Sequence, residues 1–367
     1  MLKATCSSLD LMKTADLLAQ LDQKESLDPR QVKWLAESLL GDAMPDDDKA
    51  NLLRALSAKG ETVSEIVGFV RVFLQHAIHP ALDIDEIGAA IDVCGTGGDK
   101  LDLFNVSTTT MFVLAGGGVT VVKHGNRGVT SKSGGADVLE ALGIQIDMPP
   151  QDFVSCVIQT GAGFMFAPHY HPAFKVIAPV RKRLAAEGTR TIFNLIGPLL
   201  NPVQPYFQLV GLADGRLPRM YAEILHELGR ITAWAVHGTT QEGFGMDELS
   251  TLAPSKLACL QMGEISELTL QPSDLNLAPA HLGELKGGDA ETNAAILQGI
   301  LAGEIKGPKR DIVTLNAAAG LQITGQVVGW KDALGLANSI IDEGSALKAL
   351  RAVQEFCKDR AAASKND

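Results

Sequence analysis

The chain has 367 residues, 46% of them hydrophobic and 20% charged, which is long enough for two domains and too apolar for a disordered chain. Thirty-two basic residues face 43 acidic ones, a net charge of −11 and the reverse of the balance expected of a protein that lives on nucleic acid. The five cysteines (Cys6, Cys94, Cys156, Cys259, Cys357) are scattered and form no CxxC, which speaks against a disulfide frame and a zinc site, and 5% aromatics leave few rings for stacking bases. Charge-free runs such as Phe104–Val122 and Phe153–Phe174 are broken by polar residues, glycine or proline, so none reads as a membrane span. With no leader-like start, the expectation is a cytoplasmic protein.

The N-terminal residues read as helices. Asp28-Pro29 with Gln31 forms a capping box ahead of Val32, Leu35, Leu39 and Leu40 at helical spacing. Asp46, Asp47 and Asp48 crowd the start of a second helix, which Gly60 stops. Thr62 and Glu65 open a third, carrying Ile66, Val67, Val70 and Leu74, which Pro80 is expected to end. After Glu86 strands and helices alternate. Strands are predicted at 87–94, 119–122, 163–166, 209–212 and 231–236, with helices at 107–114, 136–142 and 219–228. Further helices are predicted at 291–301, 312–319 and 330–342. That order predicts an α/β fold: a small helical domain over 1–86, and a larger domain over 87–367 with a mostly parallel sheet.

The unusual chemistry lies in residues 94–135. Cys94-Gly-Thr-Gly-Gly-Asp99 ends a strand, and Asn105-Val-Ser-Thr108 begins a helix, where backbone N–H groups and glycines suit an anion. Such a loop is equally an ordinary tight turn. It is neither a Walker A sequence nor a dinucleotide fingerprint. A second loop, Lys123–Gly135, is dense in cations, hydroxyls and glycines; it is either a solvated loop or, at a strand's carboxyl end, the other half of a polyphosphate site. Asp247-Glu248 follow Gly243-Phe-Gly-Met and are either a solvated helix start or hard oxygen ligands for Mg2+. Arg181, with Arg190 nearby in sequence, suits a bidentate carboxylate clamp.

Taken together the stretches CGTGGD (94–99), FNVST (104–108), KHGNRGVTSKSGGADVLEALG (123–143), FMFAPHYHPAFKVIAPVRKRL (164–184), GTRTIFNLIGPLLNP (188–202), GMDELS (245–250) and LNAAAGL (315–321) resemble the anthranilate phosphoribosyltransferases. The resemblance extends from about Leu9 to Phe356. It implies the nucleoside phosphorylase type of fold and transfer of the phosphoribosyl group of 5-phosphoribosyl 1-pyrophosphate (PRPP) to anthranilate in tryptophan synthesis. It also implies a homodimer made through the helical domain, joined by a crossover near 172–196, with no nucleic-acid or membrane partner. Gly95, Gly98, Asp99, Asn105, Val106, Ser107 and Thr108 would hold PRPP on one side. Lys123, His124, Gly125, Asn126, Arg127, Gly128, Val129, Thr130, Ser131 and the backbone of Gly135 would hold it on the other. Ser107, Asp247 and Glu248 would bind Mg2+, two ions per site. Gly95, His124, Asn126 and Arg181 would receive anthranilate, Arg181 through the carboxylate. The amine is already neutral at pH 7, so no general base is assigned.

The sequence departs from the family pattern at Leu103, where relatives carry a hydroxyl, and in the longer RLAAEGTR (183–190). Two rivals remain. A pyrimidine nucleoside phosphorylase shares the fold type but uses inorganic phosphate, whereas the DE pair and KHGN favour pyrophosphate and metal. A catalytically silent relative that binds nucleic acid would leave CGTGGD, Asp247-Glu248 and Arg181 without a role.

Overall fold

A computed structural model describes residues 13–85, 87–128 and 132–363. The chain divides into two compact units, one comprising the residues up to Ala77 with His171–Leu200, the other Ile78–Tyr170 with the residues from Asn201 onward. The division falls at residue 77 rather than 86, and the segment returning to the helical unit is 171–200 rather than 172–196. The physical reason for the shift is local: the Ile78 N–H donates to Tyr170 O at 2.8 Å, and Leu82 packs on the cluster of Ala90, Val122, Phe153 and Tyr170.

The helical unit contains the helices Thr14–Asp22, Pro29–Leu40, Asp46–Lys59, Val63–Gln75 and Phe174–Ala186. Both capping boxes form. Asp28 Oδ1 accepts from the N–H groups of Arg30 (2.7 Å) and Gln31 (3.0 Å), and Gln31 Oε1 accepts from Asp28 N (2.8 Å). Glu65, fully buried, accepts from the N–H groups of Thr62 and Leu27 and pairs with Lys59 at 2.8 Å. The third of the predicted helices ends at Gln75, five residues short of Pro80. Phe73 meets Phe174 edge-on at 5.1 Å and stacks on Phe193 at 5.6 Å, which fastens the returning segment to this bundle. Asp28→Ala removes two exposed donors' partner and should cost about 1 kcal/mol, read as a lower Tm in thermal unfolding; an unchanged Tm would mean that the cap contributes nothing.

The larger unit is built on an eight-stranded sheet: β1 Ala90–Gly95, β2 Thr120–Gly125, β3 Ala162–Phe166, β4 Phe207–Gly211, β5 Thr232–Thr239, β6 Gly245–Met246, β7 Ser255–Gln261 and β8 Glu264–Leu270. The order is β3-β2-β1-β4-β5-β7-β8, with β6 on β5. The first five strands run parallel, and β6, β7 and β8 are antiparallel additions. The parallel portion agrees with the strand–helix alternation, since helices must cover both faces of such a sheet. The hairpin β7–β8 and the helices Pro150–Thr160 and Ser345–Ala363 are additions to the elements predicted. Residues 87–89 are not strand, and β2 continues through Lys123 and His124, so those two lie on a strand rather than in the loop. Among the described residues no helix is long and apolar enough to cross a membrane. Cys94, Cys156, Cys259 and Cys357 are buried and form no disulfide, and Cys6 lies outside the described residues.

Candidate active site

The parallel strands β1, β2, β4 and β5 deliver their carboxyl ends to one edge of the larger unit, where α/β folds bind ligands. The chain leaves β1 through Gly95-Thr-Gly-Gly-Asp99. Gly97 and Gly98 take φ of 68° and 83°, which side chains with a Cβ resist, and the Leu101 N–H donates to Asp99 Oδ1 at 3.1 Å. The helix Val106–Gly116 begins directly behind, burying Val106 and Thr108. Asn105 donates to Ser133 O at 3.2 Å and accepts from Asn293 at 2.9 Å, so its amide joins the two loops.

Asp247 and Glu248 follow β6 in a bend, not a helix start. Asp247 Oδ2 accepts from Gly97 N at 2.7 Å, and Glu248 Oε1 accepts from Ser107 N at 3.1 Å. The carboxylates therefore occupy two of the backbone donors expected for an anion. The close fit depends on glycine: a Cβ at Gly95 would lie 2.2 Å from Asp247 Oδ2, and one at Gly211 only 1.6 Å from Asp247 O. Burial, reinforced by Asp247, pushes the Glu248 carboxyl well above the usual carboxylate range. The same causes raise Asp99 to about 7. Three carboxylates crowded together at this cost are the environment a divalent cation relieves. With the Ser107 hydroxyl, they are hard oxygen donors of the kind Mg2+ takes. No ready-made group of three or more His, Cys, Asp or Glu arranged for a metal occurs among the described residues, so protein ligands alone would not complete the shell.

Lys123 is 3% exposed, and its Nζ donates to Val93 O and, at 3.2 Å, to Ser107 Oγ. His124 is buried, with its N–H on Asp92 Oδ1 at 3.1 Å. Gly125 ends the strand, and Asn126, Arg127 and Gly128 are exposed. Arg127 is held by Glu140 and, at 3.1 Å, by Asp137, with Phe166 beneath its guanidinium. Asp137 also accepts from the N–H groups of Gly128 (2.9 Å) and Gly134 (2.8 Å), closing the base of the loop. Gly135 opens the helix Gly135–Ala141, and a Cβ there would lie 3.0 Å from Thr108 Oγ1. Val129, Thr130 and Ser131 lie outside the described residues.

Leu103 pairs with Lys286 as an isolated antiparallel bridge, while Phe104 N–H donates to Leu285 O at 3.3 Å, so the segment around 285–288 backs this loop. In the helical unit, Arg181 is exposed, its guanidinium 4.8 Å from the centre of the Phe193 ring and without an ion pair among the described residues. Its neighbour Arg183 differs in pairing with Asp47 at 2.7 Å. Arg190 is exposed.

Sequence reasoning missed three buried polar residues behind these loops. Asp92 and Asn201 are fully buried and bonded to each other at 3.0 Å. Asn316, in the LNAAAGL stretch, accepts from Leu249 N (3.0 Å) and donates to Leu249 O (3.1 Å), clamping the residue next to Glu248. An aspartate inside an otherwise apolar strand, IDVC, was the available signal for the first.

A two-unit protein with a helical bundle and an α/β domain carrying this site is a glycosyl transferase. The model of the glycosyl transferase family, a/b domain, matches residues 88–347, and that of the helical bundle domain matches residues 15–77. The chain is 44% identical to the anthranilate phosphoribosyltransferase of Moorella thermoacetica over 329 residues, 88% of this chain and 92% of that one. It is 45% identical to that of Rhodopseudomonas palustris over 316 residues, 85% of this chain and 90% of that one. A solved anthranilate phosphoribosyltransferase from Thermus thermophilus superposes with a TM-score of 0.85 at 35% identity, covering 94% of this chain and 99% of that chain. The Saccharomyces cerevisiae enzyme in complex with PRPP and Mg gives 0.81 at 23%, covering 95% and 99%, a likeness of fold. The chain belongs to the anthranilate phosphoribosyltransferase family.

Proposed function

We propose that this chain transfers the phosphoribosyl group of PRPP to the amine of anthranilate, giving N-(5-phosphoribosyl)anthranilate and pyrophosphate in tryptophan biosynthesis. The observation that carries the reading is the convergence, within one unit, of the glycine loop after β1, the buried Lys123 and the Asp247-Glu248 pair about Ser107. A phosphate ester with a pyrophosphate leaving group needs donors and cations where negative charge grows; the glycine loop and Lys123 would supply them directly, and the Asp247-Glu248 pair through the Mg2+ it would hold. The residues from Gly95 to Thr108 and from Lys123 to Gly135 form the PRPP side of the proposal.

Ser107, Asp247 and Glu248 would hold Mg2+, with Asp99 beside them, and two ions per site are part of the proposal. When bound, Mg2+ neutralises charge on the departing pyrophosphate. Lys123 places a fixed, desolvated positive charge next to Ser107, where leaving-group charge develops. The glycines let the backbone approach the ligand. Holding the amine against C1 supplies much of the rest of the rate, and no side chain need remove a proton before attack. Pyrophosphate released from PRPP only when anthranilate is present supports this reading. Phosphorolysis of uridine or thymidine with inorganic phosphate would favour the nucleoside phosphorylase instead.

Arg181 is proposed as the partner of the anthranilate carboxylate, since among the described residues its guanidinium has no ion pair; Gly95, His124 and Asn126 are proposed as the anthranilate-binding residues of the larger unit. Arg181→Ala should raise the KM for anthranilate by about tenfold or more at an unchanged Tm. An unchanged anthranilate KM would sink the assignment. The homodimer through the helical unit and cytoplasmic residence are further parts of the proposal. Every large hydrophobic residue described in that unit is less than fully exposed, so such an interface would use half-buried and polar side chains. Sedimentation equilibrium at twice the chain mass is the expected result.

A further inference from the structure

The ladder between β1 and β2 runs only through Ala90↔Thr120 and Ile91↔Val121. On either side the pairing continues: β1 stays with β4 to Gly95↔Gly211, and β2 with β3 to Gly125↔Phe166. The direction of the backbone groups beyond those pairs follows from their neighbours. Thr96 N–H points to Gly211 O on β4, and Val121 N–H to Gly161 O beside β3. By the alternation of a parallel strand, Val93 O, Val122 O and His124 N then face the gap between β1 and β2. An unbroken ladder would join Val122 O to Val93 and Val93 O to His124 N.

Side chains take those places. His124 N–H donates to Asp92 Oδ1 at 3.1 Å, Val122 O accepts from Asn201 Nδ2 at 2.7 Å, and Val93 O accepts from Lys123 Nζ. Asn201 Nδ2 also donates to Asp92 Oδ2 at 3.0 Å, and Asn201 Oδ1 accepts from Val203 N at 3.0 Å, which fixes the amide's orientation. Asp92 and Asn201 are each 0% exposed. A carboxyl and a primary amide inside a sheet are unfavourable unless fully bonded, and here their bonds go to the backbone groups that the split would otherwise orphan. These side-chain links lie at the strand ends that carry CGTGGD and KHGN.

We infer that Asp92 and Asn201 are positioning residues that replace the β1–β2 ladder beyond Ile91 and Val121 with side-chain bonds and thereby fix the spacing of the two PRPP-binding loops. Neither residue belongs to those loops, and the inference rests on the PRPP reading of them. Lys123 completes the same frame from within the binding machinery, so the frame and the ligand share one cation.

The test uses Asp92→Asn, which keeps the shape but presents an amide to two donors, and Asn201→Asp, which keeps the size and the oxygen that Val203 N donates to but removes the amide donor; folding of both is checked by circular dichroism and Tm. Calorimetric titration with PRPP and Mg2+ should show PRPP affinity weakened about tenfold or more, with a matching rise in the KM for PRPP and a smaller change in kcat. Hydrogen exchange on the free variants should change at residues 90–95 and 120–125 before it changes elsewhere. Variants that only lose thermal stability, with wild-type PRPP affinity and KM, would overturn the inference and leave a structural role. Wild-type protein that fails to bind PRPP would overturn the functional reading instead, and unaltered exchange over 90–95 and 120–125 would independently overturn the strand-linking role.

Discussion

Asp247→Asn combined with Glu248→Gln is expected to lower Mg2+-dependent turnover by at least about 10³-fold while leaving the far-UV circular dichroism spectrum unchanged. The two carboxylates sit against Gly97 N–H and Ser107 N–H, beside Asp99, and they are the hard oxygen ligands available to a cation there. The Glu248 charge is unfavourable in the fold without a ligand, because burial and the neighbouring Asp247 push its carboxyl well up. Neutral isosteres relieve that repulsion and keep an oxygen for each backbone donor. Stability should therefore hold or rise as activity disappears, a split that a structural role would not produce. Full turnover in the double variant would remove the pair from the metal site.

Gly211→Ala should be nearly as damaging by a different route. Its Cβ would lie 1.6 Å from Asp247 O and 2.3 Å from the carbonyl carbon, both of them backbone that no side-chain rotation can clear. The segment bearing Asp247 and Glu248 has to move, and a displacement of that kind costs about 10²-fold in kcat/KM. Overpacking should also cost about 1–3 kcal/mol of stability. Gly335→Ala is the control: nothing lies within 4 Å of its Cβ position, it stands within the helix Trp330–Asp342, and alanine there should leave activity intact. Wild-type kcat/KM in the Gly211 variant would show that the carboxylate segment tolerates movement.

Local chemistry made much of this molecule legible. The Asp28 and Thr62 capping boxes formed where their spacing required, because each satisfies helix-end donors without help from distant residues. The parallel strands followed from apolar runs alternating with helical ones. The hairpin β7–β8 was not read, since its turn is Met262-Gly263, both at positive φ, where a methionine gives none of the usual asparagine or aspartate signal. Five of the seven residues of β8 are exposed, which also hides the strand's period.

The candidate site shows the same division. Glycine loops and the DE pair announced themselves by composition, and the resemblance supplied roles for them. That Lys123 and His124 stand on a strand, and that Asp92, Asn201 and Asn316 hold the backbone behind the loops, depends on partners such as Val93, Val122 and Leu249. Asn201 and Asn316 lie 109 and 67 residues from the groups they bond, so no spacing within the chain could reveal them.

The most direct measurement of the central claim is anthranilate fluorescence in the presence of purified protein, PRPP and Mg2+. The account predicts a fall that requires all of these components and is halted by chelating the cation. Anthranilate fluorescence that stays constant while PRPP binds would contradict it.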